Sequence, residues 1–450
     1  MRFRANELRV QAGRRYRQIR DLWIKEGMAG VTMRLRNATV ERIALKGADA
    51  PVRRADVMSA DLSCRFEAPI PPIKPNEPLT VNWVTTPPSR GSGGHTTLFR
   101  IVRYLEKHGY RNRIYLYDAY GGDHAYYAAI VHDYYQFDGP VFSIDESMQD
   151  AHIVMATAWM TAFPIFNSRC AGKRFYFVQD FEPDFFPAGS LRLLAESTYR
   201  MGFHGLSIGK CFAERIRQDY RMTVETFRYG CDISRYRRIP GSARTGIVFY
   251  AKREAPRRGF EIGLMAIEAF AARCPEAEIH VYGDRIGAQA FEFIDHGHIT
   301  PDEINSIYNR CRAGLSLSFT NVSLVALEML AAGCIPVVND SELVRTDLNN
   351  PYVRYSDAYP QALAASLEAV VKVEDFDSLS EMAAGSVRSI TWDEVGAAVD
   401  QILRNALRDE LYQRDRESQT MSSRFDEWSA KSKVEKSPEA ISAEAISLIR

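Results

Sequence analysis

Between Leu79 and Asp340 the chain runs twice through the same alternation of short apolar stretches of strand length and amphipathic stretches of helix length. LTVNWVTTP (79–87) is followed by the glycine-rich turn SRGSGGH, the helical run TTLFRIVRYLEKHG, and a second strand pattern, RIYLYD (113–118). After the polar stretch RYRRIPGSART (235–245) the pattern restarts: TGIVFYAKR as strand, GFEIGLMAIEAFAARC as helix, AEIHVYGD as strand. Neighbouring parallel strands need a crossover long enough to be a helix, so this alternation restricts the chain to parallel sheets covered by helices. The fold class expected is α/β, with two doubly wound, Rossmann-like domains facing a cleft.

The boundaries follow from composition. Residues 1–67 are expected to form a basic helical extension and linker, 68–240 the first Rossmann-like domain, and 241–390 the second. A helix with an apolar stripe at Val395, Val399, Ile402, Leu403, Ala406 and Leu407 suits packing on a domain face (391–415), and 416–450 reads as a polar tail too poor in apolar residues to order itself. TPDEINSIYNRC carries a helix start, with Thr300 and Glu303 spaced as a capping box and Pro301 at the first helical position.

Lys and Arg equal Asp and Glu at 57 each, so no global field favours nucleic acid as a partner. The charge is uneven, though: residues 1–46 hold twelve Lys and Arg against four acids, a segment suited to peripheral contact with an anionic membrane. No run approaches the roughly 20 apolar residues of a membrane-spanning helix, and the N-terminus lacks an apolar signal core. A cytoplasmic location is therefore expected. The seven cysteines form no C-x-x-C pair, which favours reduced thiols over disulfides or zinc.

One carboxylate, Glu328, interrupts the apolar stretch SFTNVSLVALEMLAAGCIPVVND (318–340). The helix there follows the strand AGLSLSF, so the amides of Ser323, Leu324 and Val325 lie at the carboxyl edge of the sheet, ready for a phosphate. Glu328, one turn further, is placed to accept hydrogen bonds from a ribose or sugar diol; the plainer reading is an ion pair with Lys or Arg at a domain seam. Lys252, Arg253, Arg257 and Arg258 follow a strand, where such cations either compensate a diphosphate or form a solvated basic loop. Gly93 and Gly94 allow close backbone approach to a ligand, with His95 beside them either facing the cleft or serving as an ordinary helix-start residue. Asp180, in FVQDFEPDFFP, stands at a strand end, where it either lines the cleft or caps a neighbouring helix. Asp375 and Asp377 (DFD) follow no sheet strand, and no metal site is expected.

These motifs resemble the retaining, GT-B-fold nucleotide-sugar glycosyltransferases, whose second half reads roughly E-G-F-G-x-x-x-x-E-A-M-A-x-G-x-P-V-V. The resemblance places Glu328 on the ribose-binding Glu, Thr320 on the family's first Glu, and Asn321 and Ser323 on its glycines. It likewise sets Lys252 and Arg258 on the basic pair and brings the Gly93–Gly94 loop towards the donor diphosphate. VNWVTTPPSRGSGGHTTLFRIVRYLEKHGY and YFVQDFEP are similar to the WsaF-type rhamnosyltransferase branch, which implies a deoxythymidine-diphosphate-rhamnose donor, a glycan or lipid-linked acceptor, and no further cofactor. The donor diphosphate itself would help take the acceptor proton; a double displacement would need a carboxylate such as Asp180. Two other classes stay open: a non-catalytic partner that binds nucleotide-sugar or glycan, prompted by Thr320, and an NAD-dependent oxidoreductase, which rests only on the glycine turn, since no acid is clearly placed for an NAD ribose although Asp118 follows Gly94 by about 24 residues.

Overall fold

The structure, a computed structural model, describes Met28 and residues 51–64 and 67–408. The basic N-terminal segment, Met28 apart, and the polar tail lie outside the described residues. The first sheet is built from β1 (Leu79–Thr85), β2 (Tyr110–Leu116), β3 (Val141–Ser143), β4 (Ile153–Ala156), β5 (Lys173–Val178), β6 (His204–Ile208) and β7 (Val224–Phe227). They pair in parallel in the order β3-β2-β1-β4-β5-β6-β7.

The second sheet contains β8 (Gly246–Ala251), β9 (Ile279–Gly283), β10 (Ile294–Gly297), β11 (Cys311–Leu315), β12 (Ile335–Asn339) and β13 (Arg354–Ser356). Its order is β10-β9-β8-β11-β12-β13, again parallel throughout. The chain therefore reverses direction across the first sheet between β1 and β4, and across the second between β8 and β11. Loops leaving neighbouring strands at such a reversal point to opposite faces and open a crevice at the strands' carboxyl ends.

The central strands β1, β4, β8, β11 and β12 are buried along most of their length because both faces are covered. Val81, Trp83 and Val84 of β1 are fully buried, and the one polar atom of the Trp83 ring donates to Asn112 Oδ1 at 2.9 Å. The Gly93–Lys107 helix buries Leu98, Phe99, Ile101, Val102 and Leu105, an i, i+3, i+4, i+7 stripe, and Ser92 caps it. The Thr300–Glu303 capping box is reciprocal, with Glu303 Oε2 accepting the Thr300 amide at 2.7 Å.

The first domain's contacts begin upstream of residue 68. Arg53 reaches the Asp118 carbonyl at 2.8 Å, and Asp56, in the short helix Arg54–Ser59, accepts the Tyr117 hydroxyl at 2.8 Å. At its other end the chain returns to the same domain. Trp392 fills the space left by Gly230 and lies 4.8 Å beneath the Arg100 guanidinium, while Gly396 leaves room for the Tyr104 ring. Residues 400–408 continue as helix, with Arg404 and Asp400 paired at 2.7 Å. The DFD motif is structural: Asp375 caps the Phe376–Gly385 helix, and Asp377 pairs with Arg238. All seven cysteines are free thiols, and no described helix is long and apolar enough to cross a membrane.

Candidate functional site

The carboxyl ends of β1, β5, β8 and β11 converge between the two sheets, and most of the residues singled out from the sequence meet there. After β8 the chain makes a 3-10 turn, Pro256–Arg258, closed by Gly259 in the left-handed region (φ +58°). The turn presents Arg257 and Arg258 side by side. Arg258 bonds to Ser318 Oγ and, at 2.9 Å, to Asn321 Oδ1, both in the loop leaving β11. Asn321 in turn donates to the Gln179 carbonyl at 3.2 Å, at the end of β5 in the other domain. Gly94 brings the β1 exit to the same point, where a Cβ would stand in ordinary contact 3.6 Å from the Gln179 amide, so the approach does not depend on glycine. Burial and the neighbouring Arg257 push the Arg258 pKa below the usual guanidinium value.

Asp180 is the acid of this cluster and is 5% exposed. Its Oδ2 accepts the Thr320 hydroxyl at 3.2 Å and lies 3.5 Å from Arg257 Nε, whereas Oδ1 is buried with no hydrogen-bond partner. Desolvation pushes its pKa up to about 6, against the opposing pull of Arg257 and Arg258. Asp180 is not the helix cap. That role falls to Glu182, whose Oε2 accepts the Trp159 amide at 2.5 Å and the Tyr176 hydroxyl at 2.6 Å, and whose pKa burial raises to about 7.

Lys252 lies 3.6 Å from Asp284, which follows β9 and also accepts the Arg253 amide at 2.7 Å. The Arg253 guanidinium covers the Phe260 ring at 4.5 Å. Cations outnumber acids along 252–258, and this edge is therefore electropositive.

The Glu328 helix begins at Leu324, as expected, and Ser323 caps it. Ser323 Oγ already accepts the Val325 amide at 3.3 Å, which removes one of the three amides assigned to a phosphate. Glu328 points towards the seam between the domains, where Arg100 and the Tyr236 hydroxyl favour its charged form and Asp232 opposes it. Desolvation outweighs these and lifts its pKa to about 7. Arg100 is meanwhile committed to Asp232 at 3.2 Å. The plainer reading of Glu328 as a seam acid beside an arginine is thus realised in part, with the arginine shared between Glu328 and Asp232.

His95 is an exception among the sequence-predicted site residues. Its Nδ1 meets Ser92 Oγ at 2.9 Å and its Nε2 meets the Thr86 carbonyl at 3.1 Å, so both ring nitrogens are spent inside the first domain. Burial lowers its pKa to about 4 and keeps the ring neutral. Asp118, the acid considered for an NAD ribose, is equally occupied, accepting the Tyr120 and Gly122 amides at 2.8 and 2.6 Å. Arg100, Asp232 and Tyr236 escaped sequence reasoning because they carry no local motif and come together with Glu328 only when the domains pack.

Two parallel, doubly wound sheets whose switch-point loops share one polar cluster define a GT-B fold. Solved structures agree. The chain superposes on Staphylococcus aureus TarM, in complex with fondaparinux, α-GlcNAc-glycerol and UDP, with a TM-score of 0.60 at 7% identity, covering 72% of this chain and 99% of that one. It superposes on Anabaena HepE in complex with UDP with a TM-score of 0.56 at 12% identity, covering 73% and 100%. In sequence, residues 125–208 match the family model "WsaF, N-terminal domain" and residues 245–368 match "WsaF, C-terminal domain". The O-antigen biosynthesis protein RfbC of Myxococcus xanthus is 29% identical over 265 residues, 57% of this chain but only 20% of that protein's length. The chain thus has a GT-B fold, and parts of each of its two domains are similar to the WsaF domain models.

Proposed function

We propose that the chain is a retaining, metal-independent glycosyltransferase that moves a hexosyl group from a nucleotide diphosphate to a growing surface polysaccharide or lipid-linked glycan. L-rhamnose carried on deoxythymidine diphosphate (dTDP) is the donor that the family likeness favours. The observation that carries this reading is the Arg258 network: a largely desolvated cation beside a second arginine, oriented by Ser318 and Asn321 at the switch point of the second sheet. Such a cation, with Lys252 nearby, offsets the charge that develops as a diphosphate leaves. Glu328, half-buried at the seam beside Arg100 and Tyr236, would accept the hydroxyls of a ribose diol. Both domains contribute to the cluster, so a bound donor is held across the seam and shielded from water. The names of the relatives, an O-antigen biosynthesis protein and proteins solved with UDP, agree with this substrate class. The basic N-terminal segment would keep the protein near a lipid-linked acceptor at the inner face of the membrane.

Thr320 supports a second reading, a binding partner without turnover, because the family resemblance sets an acid at that position. A thermal-shift screen with dTDP, UDP and NAD, followed by incubation with dTDP-rhamnose and saccharide acceptors, separates the readings. Stabilisation by dTDP and transfer of rhamnose are expected. Stabilisation without transfer to any acceptor points to the binding partner, and stabilisation by NAD alone overturns both.

A further inference from the structure

The chain passes between the two sheets twice, and the two passages run side by side. On the way out of the first domain the Cys231 amide donates to the Ile390 carbonyl at 2.8 Å, and Cys231 bridges Thr391 in parallel. Arg100 joins both passages. It projects from the Gly93–Lys107 helix, lies 4.8 Å over the Trp392 ring of the returning passage, and meets Asp232 of the outgoing one at 3.2 Å. Trp392 is itself seated against Gly230, where a Cβ would come within 2.7 Å of the ring.

The Glu328 helix is fixed to the same point. The Cys231 thiol donates to the Leu327 carbonyl at 3.6 Å, so the residue before Asp232 holds the residue before Glu328. Arg100 is thereby set between two carboxylates, one that it bonds and one that it faces. A guanidinium stays charged at any ordinary pH, so its field on Glu328 is constant unless the second acid offsets it. Asp232 does so, and it also repels Glu328 directly. Burial sets the Glu328 pKa at about 7, between the pull of Arg100 and Arg235 and the push of Asp232. The phenols of Tyr236, Tyr250, Tyr282 and Tyr308 and the Cys231 thiol share this surrounding; burial raises each of them, and they stay neutral near pH 7.

We propose that Arg100 is a positioning residue for nucleotide binding: held by Trp392 and Asp232 where the two chain passages meet, it governs the negative charge that Glu328 presents to the nucleotide's sugar hydroxyls, and Asp232 acts against it. The inference rests on the reading of Glu328 as the acceptor of those hydroxyls. Arg100 acts through Glu328, and nucleotide affinity thereby depends on first-domain residues placed away from the phosphates.

The test is titration calorimetry of the full-length protein with dTDP at pH 6, 7 and 9, each variant being compared with the parent at the same pH so that ionisation of the nucleotide cancels. Removing Arg100 raises the Glu328 pKa, and removing the Asp232 charge lowers it. A change of about one pH unit in that value alters the charged fraction about fivefold on the acid side. Arg100→Met should therefore bind dTDP about fivefold more weakly than the parent at pH 7 and equally well at pH 9. Asp232→Asn should bind it about fivefold more tightly at pH 6 and equally well at pH 9. Damaged packing weakens binding at every pH and cannot produce the second result. The proposal is overturned by a deficit in Arg100→Met that persists at pH 9, or by Asp232→Asn binding no more tightly than the parent at pH 6. Should Arg100→Met fail to fold, the near-isosteric Asp232→Asn decides alone. A parent that binds no dTDP at any pH overturns the nucleotide reading and this inference with it; a parent that binds dTDP but does not respond to the two substitutions overturns the inference alone.

Discussion

Replacing Glu328 by glutamine should make the unliganded protein more stable and its nucleotide complex weaker. The carboxyl moves from an ordinary 4.5 to about 7 on folding, chiefly through desolvation. A shift of that size penalises the charged form by about 3 kcal/mol. The sign follows from linkage: for a carboxyl whose folded pKa lies above its unfolded one, stability is fully present below about pH 4.5 and is lost as pH rises through 7. At pH 8 the parent therefore carries the whole penalty and Glu328→Gln none of it, so the variant should gain up to about 3 kcal/mol. At pH 5 the folded carboxyl is already protonated, and the gain should shrink to about 1 kcal/mol or less. Urea unfolding followed by circular dichroism at the two pH values measures this difference. Titration calorimetry with dTDP at pH 8 should show affinity reduced about tenfold, because a charged acceptor is lost to the ribose hydroxyls. A variant less stable than the parent at pH 8 would mean that Glu328 is a stabilising partner of Arg100; unchanged dTDP affinity would remove the ribose role.

Arg258→Ala should lower kcat/KM for sugar transfer by about two orders of magnitude, near 3 kcal/mol of transition-state stabilisation, with an unchanged far-ultraviolet dichroism spectrum. Gly259→Ala should lower Tm through a loss of more than about 1 kcal/mol, since φ there is +58° and the new Cβ would sit 2.6 Å from the Phe319 ring. Asp347→Ala should cost about 1 kcal/mol in thermal unfolding, because Asp347 Oδ1 accepts the Lys210 amide at 2.6 Å and the Cys211 amide at 3.4 Å; Asp347→Asn should recover most of it.

The fold was legible because its determinants are local or periodic. Strands buried on both faces read as short, mainly apolar runs, and the restart at Gly246 marks the second sheet without reference to the first. The elements passed over are those with weak patterns: β3 has three half-buried residues, and β7 alternates burial at its ends only. Candidate site residues were legible in both domains, Asp180 and Gly94 in the first and Lys252 and Arg258 in the second, but their pairing across the seam was not. Lys252, Arg258 and the start of the Leu324 helix follow from strand-end placement, but the pairing of Thr320 with Asp180 spans 140 positions and depends on how two sheets meet. Asp180 and Glu182 look alike in sequence, both being acids at the end of β5, and only packing decides which one caps a helix and which one keeps a free oxygen. His95 shows the converse: a histidine beside a glycine turn suggests a ligand, yet Ser92 and Thr86 consume both of its nitrogens.

The carboxylate of Asp347 has a mechanical consequence. It lies on the Glu342–Leu348 helix of the second domain, yet it closes the amide end of the Cys211–Tyr220 helix in the first, opposite Gly209, where any Cβ would strike it at 2.5 Å. A movement that pulls the sheets apart at this point uncovers helix amides and a carboxylate together. A rotation that keeps them in register uncovers neither. Asp347 and Gly209 thus tie the two domains at one point, where separation costs more than rotation about it.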